Sequence, residues 1–205
     1  ALTRRMLRGV VAAALASESV TTVAVVSPDP AALDLARSLD PAVAPLRQAA
    51  DDAGLNPAIA QGVRFAAHRG ASAVLILFGD LPLLTGDDVR NLLRRDAPVV
   101  IAPDHHGIGT NALVLRLGAG LEDARDFVFH FGPDSYARHV DEAHDLGLDV
   151  VTSLTTGTAL DLDTPDDLER VLSAECSVLS EDVPFDPSIF RDVKSSADSL
   201  RDTAQ

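Results

Sequence analysis

The spacing of apolar positions changes several times along the chain, and each change marks an element. In "ALTRRMLRGVVAAALASE", residues 1–18, Leu2, Met6, Val10 and Leu15 fall near one helical face, which predicts an amphipathic opening helix. The β-branched run "VTTVAVVS" predicts a strand, and "DPAALDLARSL", with Pro30 near its start, a helix. "GLNPAIAQGVRFAAHRG" reads as a helix closed by Gly70, and "AVLILFGD" as a fully buried strand. "TGDDVRNLLRR" is a capped helix with Asp87 and Asp88 in its first turn, where negative charge meets the positive end of the helix dipole. "PVVIAP" and "NALVLRL" are the next strands. "FGPDSYARHVDEAHDLG" follows as a helix with Pro133 in its first turn and Gly147 after its end. "LDVVTSL" is a short last strand, and "LDLDTPDDLERVLSAE" passes from extended chain into helix. Strands alternating with helices predict an α/β fold of three layers, a mostly parallel sheet covered on both faces. From about residue 175 the pattern fails in an acidic, serine-rich stretch. The chain therefore divides into a domain, residues 1–174, and a tail, residues 175–205, expected to be disordered or to lie across the surface.

Composition narrows the function. At 205 residues the chain can bury a substantial core, and no apolar run approaches the roughly 20 residues of a membrane span. With no signal-peptide pattern in the opening helix, a soluble cytoplasmic protein is expected. The lone Cys176 excludes a disulfide framework and a cysteine-rich metal site within one chain, leaving carboxylates and histidines for any metal. Seventeen basic against 31 acidic residues, a net charge of −14, argue against a nucleic-acid surface, which needs clustered Lys and Arg. Lys194, the only lysine, lies in the tail, so a lysine nucleophile, a Schiff base and a Walker A loop are not expected in the body of the protein. Met6 is the only methionine and the first residues already look helical, so the chain is expected to start inside a longer reading frame.

Four stretches could carry chemistry. Ligands of open α/β sheets sit outside the carboxyl ends of the strands. Asp80 stands there, after six apolar residues and Gly79, which would let a phosphate approach the backbone. Capping of a turn by Asp80 is the alternative. In "LDLDTPDDL", an extended backbone puts Asp161 and Asp163 on one face, close enough to hold hard cations. Asp166 and Asp167 fit a helix start behind Thr164 and Pro165 and need no further role. "FGPDS" sets Gly132 and Ser135 at a helix N-terminus suited to an anion, with simple capping by Asp134 or Ser135 equally open. In "PDHHGIGTNAL", residues 103–113, the Gly-x-Gly spacing resembles a dinucleotide fingerprint, but a strand pattern follows it where a helix is required. His105 and His106 lack a second ligand pair at zinc spacing. A loop offering N–H groups, the Thr110 hydroxyl and the Asn111 amide to an anion fits better, and a merely structural turn also stands.

"LILFGDLPLL", "PDHHGIGTNAL", "FGPDSYARHVDEAHDLG" and "LDLDTPDDL", in this order, resemble the 2-phospho-L-lactate guanylyltransferase family, whose actinobacterial members look like phosphoenolpyruvate guanylyltransferases of coenzyme F-420 biosynthesis. "GLNPAIAQG" resembles the family's nucleotide-side helix, and the match runs to about residue 174. "GDLPLL" and "DLDTPDDL" also occur in molybdenum-cofactor guanylyltransferases. The resemblance implies a Rossmann-like nucleotidyltransferase fold, lacking here its first strand and the basic loop after it, and two Mg²⁺ ions. It implies Asp80, Asp161 and Asp163 as metal ligands, with Asp80 catalytic. Thr110, Gly132 and Ser135, with Asn111 beside them, would hold the three-carbon acid, and Asn56 and Gly79 would lie on the nucleotide side. The partners implied are GTP and a small phosphorylated acid. Another nucleotidyltransferase such as a molybdenum-cofactor guanylyltransferase, a glycosyltransferase using "DLD" on a nucleotide-sugar and a binding subunit that has lost its nucleotide loop are the other readings, and the oligomeric state, a homodimer included, stays open.

Overall fold

The opening stripe forms α1 (Leu2–Ala16), with Val10, Val11, Ala13 and Ala14 buried. In the computed structural model, residues 2–51, 53–118, 126–162, 164, 166, 167 and 169–171 are described. The tail, residues 175–205, and Asp163 lie outside them.

After α1 come β1 (Val23–Ser27) and α2 (Pro30–Arg37), where Pro30 occupies the first turn and the Asp29 side chain accepts from Ala31 N–H at 2.9 Å. The next strand, β2 (Val43–Arg47), was not expected, because Pro45 interrupts its pattern. It pairs in parallel with β1, and a proline is tolerated where a strand needs few ladder bonds. Helix α3 (Leu55–His68) ends at Gly70, whose φ of +77° supplies the left-handed turn. Then come β3 (Ala73–Leu77), α4 (Gly86–Arg94), β4 (Val99–Pro103), β5 (Thr110–Arg116), α5 (Ser135–Asp145) and β6 (Val150–Thr152). Helix α5 starts two residues later than its proline suggested, so Pro133 precedes the helix. A short α6 (Thr156–Ala159), also unforeseen, is capped through the Thr155 and Thr158 hydroxyls.

A four-stranded sheet has the order β3, β5, β4, β6. Strands β3, β4 and β6 share one direction, and β5 runs against them, antiparallel to both neighbours. The reason is chain length: residues 104–109 are too few for a crossover, which needs a dozen or more, so the chain must turn back. Where β4 meets the start of β5 the register shifts between Ala102 and Pro103, a bulge at a residue with no N–H to donate.

Alternation along the two central strands fills both faces. Val99, Ile101, Leu113 and Leu115 join Val63, Phe127, Phe129, Phe131, Ala143 and Leu148 in one core. Val100, Ala102, Ala112 and Val114 join Leu92 and Ala97 in the other. The three-layer arrangement follows, with burial on both sides as the main source of stability. Strand β3 departs from the expected full burial: all five residues are half-buried. Together with β1, α1 and α3 it lines a cavity of about 650 Å³ between the two sheets.

Helix α4 opens on a capping box. Asp88 Oδ2 accepts from Thr85 N–H at 2.9 Å, and Thr85 Oγ1 accepts from Asp88 N–H at 3.2 Å. Thr85→Ala is expected to lower stability by about 1 kcal/mol in urea unfolding, and Thr85→Ser to restore it.

Candidate active site

The four stretches of chemical interest meet at one end of the four-stranded sheet, joined by hydrogen bonds between residues far apart in sequence. Asp80 follows β3 and is half-buried. Its backbone carbonyl accepts from Leu162 N–H at 3.1 Å, so Asp161, also half-buried, is carried alongside it. This pair offers oxygen donors, the ligand type of Mg²⁺ and Ca²⁺. No group of three or more metal-binding side chains stands together among the described residues, which do not include Asp163. Further on, Asp167 Oδ2 accepts from Thr164 N–H at 2.8 Å, and Asp167 N–H donates back to Thr164 Oγ1 at 3.2 Å. That is the expected helix cap. Gly79 has space around it: a Cβ there would meet only Leu7 Cδ1, at 3.8 Å.

The loop between β4 and β5 is closed by its own first residue. Asp104 Oδ1 accepts from Ile108 N–H at 2.9 Å, and Asp104 C=O from Gly107 N–H at 3.0 Å. Gly107 has a φ of +71°, and a Cβ on Gly109 would stand 2.9 Å from the Asp104 carboxylate. These glycines therefore serve the turn itself. His105 N–H at 2.9 Å and the Asn111 side-chain amide at 3.3 Å both donate to the Ala159 carbonyl, tying the loop to the segment that leads to Asp161. Asn111 thus braces that segment with its amide. The His105 and His106 rings lie 3.7 Å apart, centroid to centroid, and belong to the loop.

The other wall is the stretch before α5. Gly132 takes a φ of +128°, and Asp134, at φ +56°, makes no side-chain bond to the helix it precedes. Ser135 is buried at the first position. Tyr136 N–H donates to the Ile108 carbonyl at 2.9 Å, stitching the helix start to the loop. Asn56, at the start of α3, clamps this wall: its Nδ2 donates to Phe131 C=O at 3.0 Å and its Oδ1 accepts from Phe131 N–H at 2.8 Å. Both polar atoms of its amide thus hold the stretch before α5.

Beneath Thr110 lies His139, fully buried on the inner face of α5 with Ser135 and Ala143. Nδ1 of His139 is 3.1 Å from Thr110 Oγ1, and Nε2 accepts from His130 N–H at 3.0 Å. The Phe127 and Phe131 rings pack against it. Burial, chiefly, lowers its pKa from 6.5 to about 4; the nearby His130 and Arg138 add to this and Glu142 opposes it. His130 itself contacts Glu142 Oε2 at 3.2 Å and Arg138 Nη2 at 3.0 Å. The alternation of Phe127, Phe129 and Phe131, and a histidine in the buried stripe of α5, are the sequence signals for this cluster.

Comparison with known proteins identifies the lineage of this arrangement. The family model "Guanylyl transferase CofC like" matches residues 1–177. The chain belongs to this family. It is 43% identical over 173 residues to the phosphoenolpyruvate guanylyltransferase of Rubrobacter xylanophilus, covering 83% of this chain and 79% of that one. To the protein of the same name from Conexibacter woesei it is 40% identical over 175 residues, with 83% and 74% covered. A 2-phospho-L-lactate guanylyltransferase of Haloarcula marismortui is 34% identical over 122 residues, with 60% and 55% covered. Among solved structures, a Desulfovibrio desulfuricans G20 protein described as a nucleotide-diphospho-sugar transferase superposes with a TM-score of 0.64 at 15% identity, covering 85% of this chain and 74% of that one. The fold is thus a Rossmann-like nucleotidyltransferase fold, and this CofC-like chain is a guanylyltransferase. No described helix is long and apolar enough to cross a membrane.

Two outcomes follow. Asn56→Leu removes both bonds to Phe131 and is expected to cost about 2 kcal/mol and to speed hydrogen exchange at the Phe131 amide. His139 binds a proton near pH 6.5 when unfolded but only near 4 when folded, so its contribution to stability is complete above 6.5 and lost as pH falls towards 4. Urea unfolding across that window should show the loss, and His139→Gln should flatten it.

Proposed function

We propose that this guanylyltransferase joins GMP from GTP to the phosphate of a small phosphorylated acid, phosphoenolpyruvate or 2-phospho-L-lactate, in coenzyme F-420 biosynthesis. The observation that carries the reading is the bond from Leu162 N–H to the Asp80 carbonyl, which brings the two carboxylate-bearing stretches together beside the loop of Thr110. The names of the similar Rubrobacter and Conexibacter proteins favour phosphoenolpyruvate; that of the Haloarcula protein supports 2-phospho-L-lactate.

In this reading a phosphate oxygen of the acid attacks the α-phosphorus of GTP in line. A P–O bond forms between them, the bond from the α-phosphorus to the bridging oxygen breaks, and pyrophosphate leaves. The attacking oxygen is already anionic near neutral pH, so no general base is needed. Asp80 and Asp161, with Asp163 as the family's pattern implies, would hold Mg²⁺. The all-oxygen donor set suits that ion, and the bound metal would neutralise phosphate charge. Thr110, Gly132 and Ser135 would receive the acid's anionic groups, with the dipole of α5 aimed at them. Bringing two anions together in a chain of net charge −14 is otherwise unfavourable. Alignment of the two substrates is then what the remaining residues supply.

Pyrophosphate release is expected from GTP, Mg²⁺ and either acid, and removal of the metal with EDTA should stop it. No release with both acids, under conditions where the chain is folded, overturns the reading; hydrolysis of a nucleotide-sugar instead would favour a glycosyltransferase. Asp80→Asn and Asp161→Asn should each lower kcat by roughly a hundredfold or more with the circular dichroism spectrum unchanged. Full activity in either variant removes that residue from the metal site.

A further inference from the structure

We propose that His139 is a positioning residue that turns the Thr110 hydroxyl into a hydrogen-bond donor for the anionic group of the bound acid. The inference rests on the reading of Thr110 as a contact to the acid and adds the means by which that contact is oriented.

The argument begins at the backbone. A peptide N–H can only donate, so the 3.0 Å contact from His130 N–H requires an unprotonated Nε2 on His139. A neutral imidazole carries one proton, which must then sit on Nδ1. Nδ1–H therefore donates to Thr110 Oγ1, 3.1 Å away, and Thr110 accepts. A hydroxyl that accepts along one direction must aim its own hydrogen along another, and His139 is the only partner of Thr110 Oγ1 seen among the described residues. The threonine cannot swing to avoid this, since β-branching restricts χ1 and the residue is buried where β5 begins.

Both ends of the relay are held. His130 is placed by its neighbours: Val128 N–H donates to Glu142 Oε1 at 3.1 Å and Phe131 N–H to Asn56 Oδ1 at 2.8 Å. The His139 ring is packed against Phe131, 4.5 Å between centroids and tilted by 64°, and against Phe127. With both the proton and the ring fixed, the polarity runs one way, from His130 N–H through His139 to Thr110 and outward. Such preorganised donors stabilise an anion without reorienting when it binds, so the effect belongs in binding of the acid rather than of the nucleotide.

The test is a double-mutant cycle in the full chain, read as KM for phosphoenolpyruvate, KM for GTP and kcat. Thr110→Val and His139→Phe are each expected to raise KM for the acid roughly tenfold to a hundredfold, with much smaller changes in kcat and in KM for GTP. The double variant should be little worse than Thr110→Val alone, because both changes remove the same bond. Thr110→Ser should stay close to the parent. If Thr110→Val raises KM and His139→Phe does not, or if the two effects add in full, the positioning role is refuted while the acid site stands. If Thr110→Val changes nothing, Thr110 is not a substrate contact and the proposal falls with its premise. A readout independent of turnover is long-range ¹H–¹⁵N NMR of His139 in the parent chain: protonated Nδ1 supports the relay, and protonated Nε2 overturns it even if the phenylalanine variant fails to fold.

Discussion

Six residues separate β4 from β5, and that shortage of chain governs the architecture around the site. A parallel return would need a crossover; the only route available is a reversal, so β5 enters the sheet antiparallel between β3 and β4. The reversal is tight enough to be closed by one carboxylate, Asp104, and to require glycine at positions 107 and 109. It sets Thr110 at the first position of a central strand that has neighbours on both sides, at the same end where α5 begins. Tyr136 N–H to Ile108 C=O then locks loop and helix together.

A second constraint is electrostatic. The backbone stretches that carry Asp80 and Asp161 are bonded together in a chain of net charge −14, and carboxylates that come close repel unless a cation or a shared proton intervenes. Against this, the described interior beneath Thr110 contains a histidine kept neutral by burial. The contrast is functional in character: carboxylates stand where the strands end, and the ring beneath Thr110 is neutral. A neutral ring with an assigned proton can orient a hydroxyl without adding charge to the site.

The relatives and the superposed structures speak to different levels. Likeness at 15% identity to a protein described as a nucleotide-diphospho-sugar transferase shows the fold alone. The family match over residues 1–177 establishes the class of chemistry. Neither describes how a particular hydroxyl is aimed, and for that the hydrogen-bond pattern of this chain is the source.

Local physics was legible in the amino acids. The stripe of α1, the Thr85 and Thr164 capping boxes, Pro30 in the first turn of α2 and the glycines that end α3 and α5 all act within a few residues, and each appeared where its spacing placed it. Strand β2 escaped because Pro45 breaks its pattern, and only its pairing with β1 makes it a strand. The apolar run of β3 predicts full enclosure, because periodicity does not reveal what lies beside an edge. Residue type marks the site's acids, loop and helix start, but does not show their assembly. Asn56 reaches Phe131 across 75 positions, Thr110 reaches His139 across 29, and Leu162 meets Asp80 from the far end of the chain. Such contacts depend on strand order and register, which one-dimensional spacing does not carry. The sequence by itself therefore determined the elements and the kinds of side chain at their ends; tertiary structure decided which of them touch, because hydrogen bonds between distant residues form only after the sheet has set their distance.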